Sequence, residues 1–315
     1  MDPPSEADHY LRTIEDRSKH KDEKLAIPVM RPKKVQSHSE QNMKQVIVTL
    51  TTIPPRFQNL GAKFKSLERQ SAKPDRVQLT IPKTYRRFPG ERPSLPALPD
   101  WVEVFESKTD YGPATKLLPA VHRWAGSDVD LLICDDDRMQ DKNWIQRLKS
   151  MRTQRPDDII CERGWSIAER FGIAQLSPKM PRAAQEAKGG RTLTYRMKRI
   201  LSLNMAHPPR RIYIRPGYVD VFEGFLGALI PNTAISKTAF SIPEIIWTVD
   251  DVWISGIAAL NNTYVWAHDM ERPVYSDRRI DKVASLKNHI EGGFDRQSAD
   301  RIAIEYLRQE FGIWP

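Results

Sequence analysis

Three consecutive aspartates, Asp135, Asp136 and Asp137, directly follow the apolar run VDLLIC. Adjacent carboxylates repel one another and lower stability unless a cation or hydrogen-bond donors compensate their charge. If the run is a strand whose alternation continues, Asp135 and Asp137 point to one side and Asp136 to the other. Two carboxylates on one side suit a hard divalent cation, Mg²⁺ or Mn²⁺, that bridges a diphosphate. The alternative is a polar turn with solvated acids.

A second acidic pair, Asp250 and Asp251, lies in the sequence WTVDDVWISG and opens an apolar stretch. The pattern predicts a helix that begins near Asp250, where the helix dipole favours acids. Thr248 and Asp251 have the spacing of a capping box, which is a purely structural explanation. The functional alternative is a carboxylate at a helix N-terminus that acts as general base on a hydroxyl.

The elements around both motifs predict an α/β domain, because short apolar runs alternate with amphipathic stretches from Gln45 onward. The aspartates at 135–137 would then lie at the carboxyl edge of a sheet, where α/β proteins bind ligands. Strands are predicted at 46–51, 76–82, 101–105, 129–134, 158–162, 225–230 and 265–267, and helices at 57–67, from 250, and over 298–311.

The 315-residue chain carries a net charge of +9 and two cysteines that lack the spacing of a metal site or a disulfide framework. No stretch approaches the roughly 18 apolar residues of a membrane span, and the N-terminus lacks the apolar core of a signal peptide. We therefore expect a cytoplasmic protein. The charge favours an anionic partner, which leaves nucleic acid, a nucleotide or an anionic membrane surface open.

Two segments stand apart from the predicted domain. Residues 1–44 are polar and highly charged, so we expect a flexible arm. The stretch from about 166 to 220 is basic, and it predicts either a solvated surface or an acceptor region that faces an anionic partner at the inner membrane face. Apolar residues interleaved with the bases permit an interfacial amphipathic helix. The bases are Lys188, Arg191, Arg196, Lys198, Arg199, Arg210, Arg211 and Arg215.

Together the motifs resemble the GT-A family of nucleotide-sugar-dependent glycosyltransferases, in particular the bacterial family 2 type. The aspartate triplet resembles the D-x-D metal motif of that fold. The segment DDV at 250–252 is similar to the late acidic motif of inverting β-1,3-galactosyltransferase-like members, with aspartate in place of the usual glutamate. VIVTLTTIPPR resembles the first strand and base-binding loop, and DYGPATKLLPA the element before D-x-D. The resemblance covers roughly residues 45–270.

The resemblance implies a Rossmann-like mixed sheet flanked by helices, with a nucleotide-sugar-binding half at 45–138 and an acceptor half at 139–315. It implies Mn²⁺ or Mg²⁺ and a UDP- or GDP-sugar as cofactor and donor. The implied acceptor is a glycan or lipid-linked hydroxyl in cell-surface polysaccharide biosynthesis, and nucleic acid is not an expected partner. The charge of +9 would then surround the site for the nucleotide diphosphate.

The resemblance also implies residue roles. Asp137 would bind the metal, with Asp135 assisting or contacting the ribose. Asp251 would be the catalytic base beside Asp250, and inversion follows only if Asp251 is the base. Residues near the nucleotide would be Thr51, Arg56, Asp110, Lys116 and Asp136, and candidates for an additional metal ligand are His268 and His289.

Two other functions remain open. A nucleotidyltransferase acting on sugar phosphates also uses strand-end carboxylates and Mg²⁺, but the segment TTIPPR after the first strand lacks the glycines of a phosphate loop. A nucleic-acid-binding protein would explain the net charge, but it predicts one contiguous basic face with exposed aromatic residues.

Overall fold

A computed structural model describes residues 44–91, 94–174, 178–186, 193–202, 211–271 and 296–315. The predicted arm lies outside the described residues except for Lys44, and His289 lies outside them too. The strands are β1 (Gln45–Thr51), β2 (Arg76–Pro82), β3 (Val102–Ser107), β4 (Val129–Ile133), β5 (Ile159–Cys161), β6 (Gly164–Trp165), β7 (Ala184–Gln185), β8 (Tyr213–Arg215), β9 (Gly217–Val219), β10 (Val221–Phe222), β11 (Ala228–Pro231) and β12 (Val265–Ala267).

Helices connect and cover these strands. The α-helices are α1 (Leu60–Glu68), α2 (Leu118–Arg123), α3 (Trp144–Arg152), α4 (Ile167–Phe171), α5 (Leu193–Leu201), α6 (Asp250–Leu260) and α7 (Arg296–Phe311), and short 3₁₀ helices include Pro54–Asn59, Gly112–Lys116 and Gly224–Leu226. Within the described ranges, no helix combines the length and apolar character needed to cross a bilayer.

Eight strands form one mixed sheet in the order β3-β2-β1-β4-β11-β5-β12-β9. The strands from β3 to β4 are parallel, whereas β11 runs antiparallel to both of its neighbours, β4 and β5. The predicted mixed α/β sheet flanked by helices is therefore confirmed. All seven predicted strands are present, although the run at 225–230 becomes a strand only at Ala228, after the 3₁₀ helix Gly224–Leu226.

Both faces of the sheet are buried, because alternate side chains of each central strand enter different cores. Val46, Val48 and Leu50 of β1 pack in one core with apolar residues of α1 and α3. Ile47 packs in the other core with residues of α2, α6 and α7. The apolar run of β1 thus has no solvent face, and polar residues of this strand appear only near its ends.

Candidate active site

A polar cleft of about 770 Å³ lies at the carboxyl ends of β1, β2 and β4. Thr51 ends β1, Pro82 ends β2, and the three aspartates follow β4 at once. Because parallel strands end at one edge of their sheet, the topology itself gathers these residues. Asp250 and Asp251 line the same cleft from α6. The two acidic motifs of the sequence therefore belong to one site.

The aspartate triplet lies in a turn and not in the strand. β4 ends at Ile133, and Asp136 and Asp137 are turn residues. Both of them contact the guanidinium of Arg56, whereas Asp135 contacts Lys116. The strand ends before the triplet, so strand alternation does not set the directions of these three side chains, and all three of them line the cleft.

Lys116 joins the two acidic motifs. Its Nζ atom lies 2.8 Å from Oδ1 of Asp135 and 2.9 Å from Oδ2 of Asp250. The side chain is buried, which favours the neutral amine, but Asp135, Asp250 and Asp251 raise the pKa of Lys116 well above its ordinary value. Lys116 therefore remains a cation, and it holds the turn after β4 against the start of α6.

Arg56 neutralises the other two aspartates. Its Nη1 atom donates to Oδ1 of Asp136 at 2.9 Å and lies 3.0 Å from Oδ2 of Asp137. The hydroxyl of Thr52 donates to the second oxygen of Asp136 at 2.5 Å. Pro54 and Pro55 open the 3₁₀ helix that carries Arg56, and their fixed φ angles define how the chain leaves β1.

The three aspartates differ in their ionisation. Burial opposes the charge of Asp135, but the ammonium of Lys116 outweighs burial and lowers the pKa of Asp135. Burial raises the pKa of Asp136 despite the bonds from Arg56 and Thr52. Burial and repulsion by Asp135 raise the pKa of Asp137 to about 6. Asp137 is thus the carboxylate whose charge the side chains around it compensate least well.

Asp251 lies in the first turn of α6, and its Oδ1 atom accepts a hydrogen bond from the backbone N–H of Gly224 at 3.2 Å. The helix begins at Asp250 with Val249 as its N-cap and with no side-chain capping bond there. The predicted capping box of Thr248 and Asp251 is therefore wrong, because it requires a helix that starts one residue earlier. Both acids still lie where the helix dipole favours a negative charge.

Gly224 allows this arrangement by its lack of a side chain. A Cβ atom at this position would lie 2.7 Å from Oδ1 of Asp251 and 3.2 Å from Nζ of Lys116. The first of these distances is shorter than any ordinary contact of a carbon with an oxygen. The backbone approach that gives Asp251 its hydrogen bond is therefore available to glycine alone.

Asp110 organises the loop that borders the cleft. Its carboxylate accepts hydrogen bonds from the backbone N–H groups of Gly112 and Arg86, both at 2.8 Å. Gly112 has a φ of +59°, and a Cβ atom there would lie 2.9 Å from the ring of Trp247. The guanidinium of Arg86 lies 4.6 Å from the centroid of that ring. Asp110 of this loop and Trp247, which packs against the loop from the segment before α6, both line the cleft.

Thr51 also lines the cleft, where its hydroxyl donates to the carbonyl of Thr80 at 2.8 Å and ties the ends of β1 and β2 together. The neighbouring Thr52 uses its carbonyl to accept a bond from the Tyr85 hydroxyl at 3.1 Å. Tyr85, Arg87 and Phe88 complete this part of the lining.

The second half of the chain supplies a further part of the lining. The guanidinium of Arg170 lies 2.8 Å from the carboxylate of Asp300 and 4.3 Å from the centroid of the Trp165 ring. Arg163 is paired with Glu223 at 3.1 Å. Asp300 belongs to α7, so the C-terminal helix contributes directly to the cleft.

His268 is not among the residues that line the cleft. It is buried after β12, where its Nδ1 atom accepts a hydrogen bond from the backbone N–H of Met270 at 3.2 Å. Its Nε2 atom lies 3.6 Å from Oε1 of Glu162, which also binds Arg147 at 2.9 Å. The structure thus places His268 in a buried polar cluster with Glu162 and Arg147, none of which is among the cleft-lining residues.

The donor set of the cleft suits a hard divalent cation. Among the described residues, eight carboxylates and six cationic side chains line it, so this part of the lining carries an excess of two negative charges. Within the described ranges the lining therefore has no surplus of basic residues, contrary to the expectation from composition. Among the described residues, no group of three or more His, Cys, Asp or Glu side chains forms a ready-made metal site. One or two carboxylates completed by substrate phosphates are the usual environment of Mg²⁺.

No family model and no curated protein matches the chain. Among solved structures, the chain is similar to residues 1–349 of TarS from S. aureus, with 13% identity and a TM-score of 0.42 over 86% of this chain and 72% of that one. TarS 1–349 in complex with UDP gives 12% identity and a TM-score of 0.41 over 85% and 72%. At this identity and TM-score the likeness assigns no substrate and no residue role to the present chain.

Most of the residues that the sequence singles out for the site lie on the cleft, but the cleft also has lining residues that the sequence does not single out. Arg56, Lys116 and the five aspartates of the two motifs come together as predicted, and Thr51 and Asp110 lie on the same cleft. Residues that the sequence did not reveal are Thr52, Tyr85, Arg163, Trp165, Arg170 and Asp300. An aromatic or a base in an irregular segment carries no local signal of function. Thr52 alone had such a signal, because it directly follows the end of β1, where ligands bind in α/β proteins.

Proposed function

We propose that the chain is a metal-dependent glycosyltransferase. It would transfer a sugar from a UDP- or GDP-sugar to a hydroxyl of a glycan or lipid-linked acceptor, with inversion, in the synthesis of a cell-surface polysaccharide. The observation that carries the proposal is the convergence of two distant acidic motifs on Lys116 within one cleft. The volume of about 770 Å³ is in the range of small-molecule sites.

The cation would be held by Asp137 with help from Asp135, because Asp137 is the carboxylate with the least compensated charge. When bound, it would neutralise the charge that develops on the departing diphosphate. A diphosphate meets a lining with an excess of negative charge, so the donor needs such neutralisation in order to bind. Of the carboxylates that would not hold the cation, Asp136 stays paired with Arg56 and Asp250 with Lys116.

Asp251 is the proposed base. It accepts the proton of the acceptor hydroxyl while the hydroxyl oxygen forms a bond to the anomeric carbon. The bond from that carbon to the diphosphate oxygen breaks, and its electron pair leaves with the nucleoside diphosphate. Attack from the face opposite the leaving group inverts the configuration. The hydrogen bond from Gly224 holds the Asp251 carboxylate in place for this step.

The test is calorimetric binding of a panel of UDP- and GDP-sugars with Mn²⁺, followed by Mn²⁺-dependent hydrolysis of the sugar that binds. We expect Asp137→Ala to abolish both binding and hydrolysis. Asp251→Asn should retain donor binding and lose transfer by a factor of about 100 or more, the usual contribution of a general base. Asp157→Asn, at an exposed aspartate away from the cleft, serves as the matched control.

Three results would count against the proposal. One is the absence of any nucleotide-sugar binding while DNA or RNA binds with steep salt dependence, which would indicate a nucleic-acid-binding protein. Another is release of pyrophosphate from a nucleoside triphosphate and a sugar phosphate, which would indicate a nucleotidyltransferase. The third is full transfer activity in Asp251→Asn, which would remove the proposed base and with it the argument for inversion.

A further inference from the structure

The helix α5 presents an apolar side to solvent. Leu193, Met197, Ile200 and Leu201 are 75%, 55%, 68% and 82% exposed. Of the eight large hydrophobic side chains that are exposed among the described residues, six lie between Met180 and Ile214. Scattered exposed apolar residues are ordinary on a protein surface, but a concentration of this kind marks an interaction site.

The orientation of α5 is the reverse of that of a normal surface helix. At about 100° per residue, its four exposed apolar residues fall within an arc of roughly 100°. The half-buried residues of α5 are Tyr195 and Arg199, which lie on the other side of the helix. An amphipathic helix ordinarily turns its apolar stripe toward the protein core. Here the polar side faces the protein and the apolar side is available to a partner.

The charged side chains that α5 itself places beside its apolar side have one sign. Arg196 and Lys198 are exposed and lie on opposite flanks of the apolar arc. No aspartate or glutamate occurs in the chain between Glu186 and Asp220. A partner that covers the apolar side must therefore offer negative charge on both flanks.

The chain segments on either side of α5 are fixed to the main sheet. β7 and β8 pair with each other, and the guanidinium of Arg182 binds the carboxylate of Asp220 through two hydrogen bonds of 2.9 and 2.8 Å. The backbone N–H of Tyr218, in the edge strand β9, donates to the carbonyl of Pro181 at 2.7 Å. The described segments that precede and follow α5 in the sequence, 178–186 and 211–219, are therefore anchored at an edge of the main sheet.

We propose that α5 docks the protein on an anionic phospholipid surface, with its apolar side in the boundary between headgroups and acyl chains. A helix with one apolar side and basic flanks has the composition of an interfacial helix. Anionic headgroups complement both flanks at once. A symmetric contact with a second copy of the chain would instead bring basic flanks close to each other, which costs energy. The docking does not depend on the reaction that the cleft catalyses.

The first test is sedimentation of the full-length protein with vesicles of phosphatidylcholine alone or with added phosphatidylglycerol. We expect binding only to the anionic vesicles, and loss of that binding as salt is raised. The double variant Ile200→Asp and Leu201→Asp should lower the partition coefficient at least about tenfold, since two apolar side chains no longer enter the lipid. Val104→Asp, at another half-exposed apolar residue, should bind as the native protein does.

The second test separates charge from apolar contact. Arg196→Glu with Lys198→Glu should lower the partition coefficient at least about 25-fold, because each base near an anionic surface contributes about fivefold. Lys65→Glu with Arg69→Glu makes the same change in net charge at exposed positions around α1. If this control pair weakens binding as much as the pair on α5, the attraction depends on net charge and the proposal is wrong.

A third measurement places the helix in the lipid. The two native cysteines, Cys134 and Cys161, are buried, so a cysteine introduced by Leu201→Cys can be labelled selectively with an environment-sensitive dye. We expect a blue shift of its emission with anionic vesicles and none with the same dye at Val104→Cys. No vesicle binding at low salt would overturn the proposal. So would a dimer in solution that the aspartate substitutions dissociate while the vesicles bind nothing.

Discussion

Replacing Asp137 by asparagine should make the metal-free protein more stable at alkaline pH, although the side chain is part of the proposed metal site. The pKa of Asp137 is raised from 3.8 to about 6, chiefly by burial and then by Asp135. When the pKa of a carboxyl group is higher in the folded than in the unfolded state, its ionisation lowers the free energy of unfolding. Stability is therefore lost as pH rises from about 4 to above 6, and the loss at pH 8 is about 3 kcal/mol at 1.36 kcal/mol per pKa unit.

Asparagine carries no charge at any of these pH values, so Asp137→Asn should recover up to about 3 kcal/mol at pH 8 and almost nothing at pH 4. Arg56 keeps Asp136 as its partner in the variant, which limits the loss from the removed ion pair. The free energy of unfolding is measured by urea titration in the presence of EDTA at both pH values. Asp157→Asn, at an exposed aspartate, should change stability by no more than a few tenths of a kcal/mol. A variant that is less stable than the native protein at pH 8, or one with the same gain at both pH values, would refute the electrostatic argument.

Two further substitutions test the contacts that join the acidic motifs. Lys116→Met leaves Asp135 and Asp250 without their buried partner and should lower the free energy of unfolding by about 3–5 kcal/mol at pH 7. The control Lys83→Met removes an exposed pair with Glu106 and should lower it by less than about 1 kcal/mol. Gly224→Ala should cost about 1–3 kcal/mol and abolish the proposed transfer, because its methyl group displaces the Asp251 carboxylate. Gly61→Ala in α1, with no atom within 4 Å, should be neutral or stabilising by up to about 1 kcal/mol. Chemical denaturation checks both stabilities, and equal effects in the test and control variants would contradict either prediction.

The sequence was most informative where local pattern determines structure. The β-branched run of β1 and the helical spacing of Leu60, Phe64 and Leu67 predict elements that the fold contains, because β1 is buried on both faces and α1 buries the one face that carries its apolar residues. The triplet after β4 was placed at the sheet edge for the same reason. The sequence left a strand end and a polar turn open for the acids, since no proline or glycine marks the end of the strand; Asp136 lies in a turn, but it is buried and not solvated.

Other features depend on contacts between distant residues, which leave no periodic signal. Lys116 is one lysine among many in the sequence, and only the fold shows that it bridges Asp135 and Asp250. The resemblance made His268 one of two candidates for an additional metal ligand, yet the structure buries it beside Glu162. The exposed apolar side of α5 could be suspected from its sequence, but its direction relative to the protein could not. Helical periodicity defines a stripe without indicating what covers it.

The strand β11 makes the two halves of the chain inseparable. It runs between β4 and β5 and pairs with both, although it follows them in sequence. During synthesis, the edge of β4 therefore has no partner until β11 has been made. At typical rates of elongation, Pro231 is added roughly 5–20 s after Ile133. A fragment that ends after the aspartate triplet would keep that edge exposed and prone to pairing with other chains. A chimera that replaces residues 45–138 by another sequence would therefore have to replace β11 as well, because the first four strands of the sheet depend on this strand from the second half of the chain.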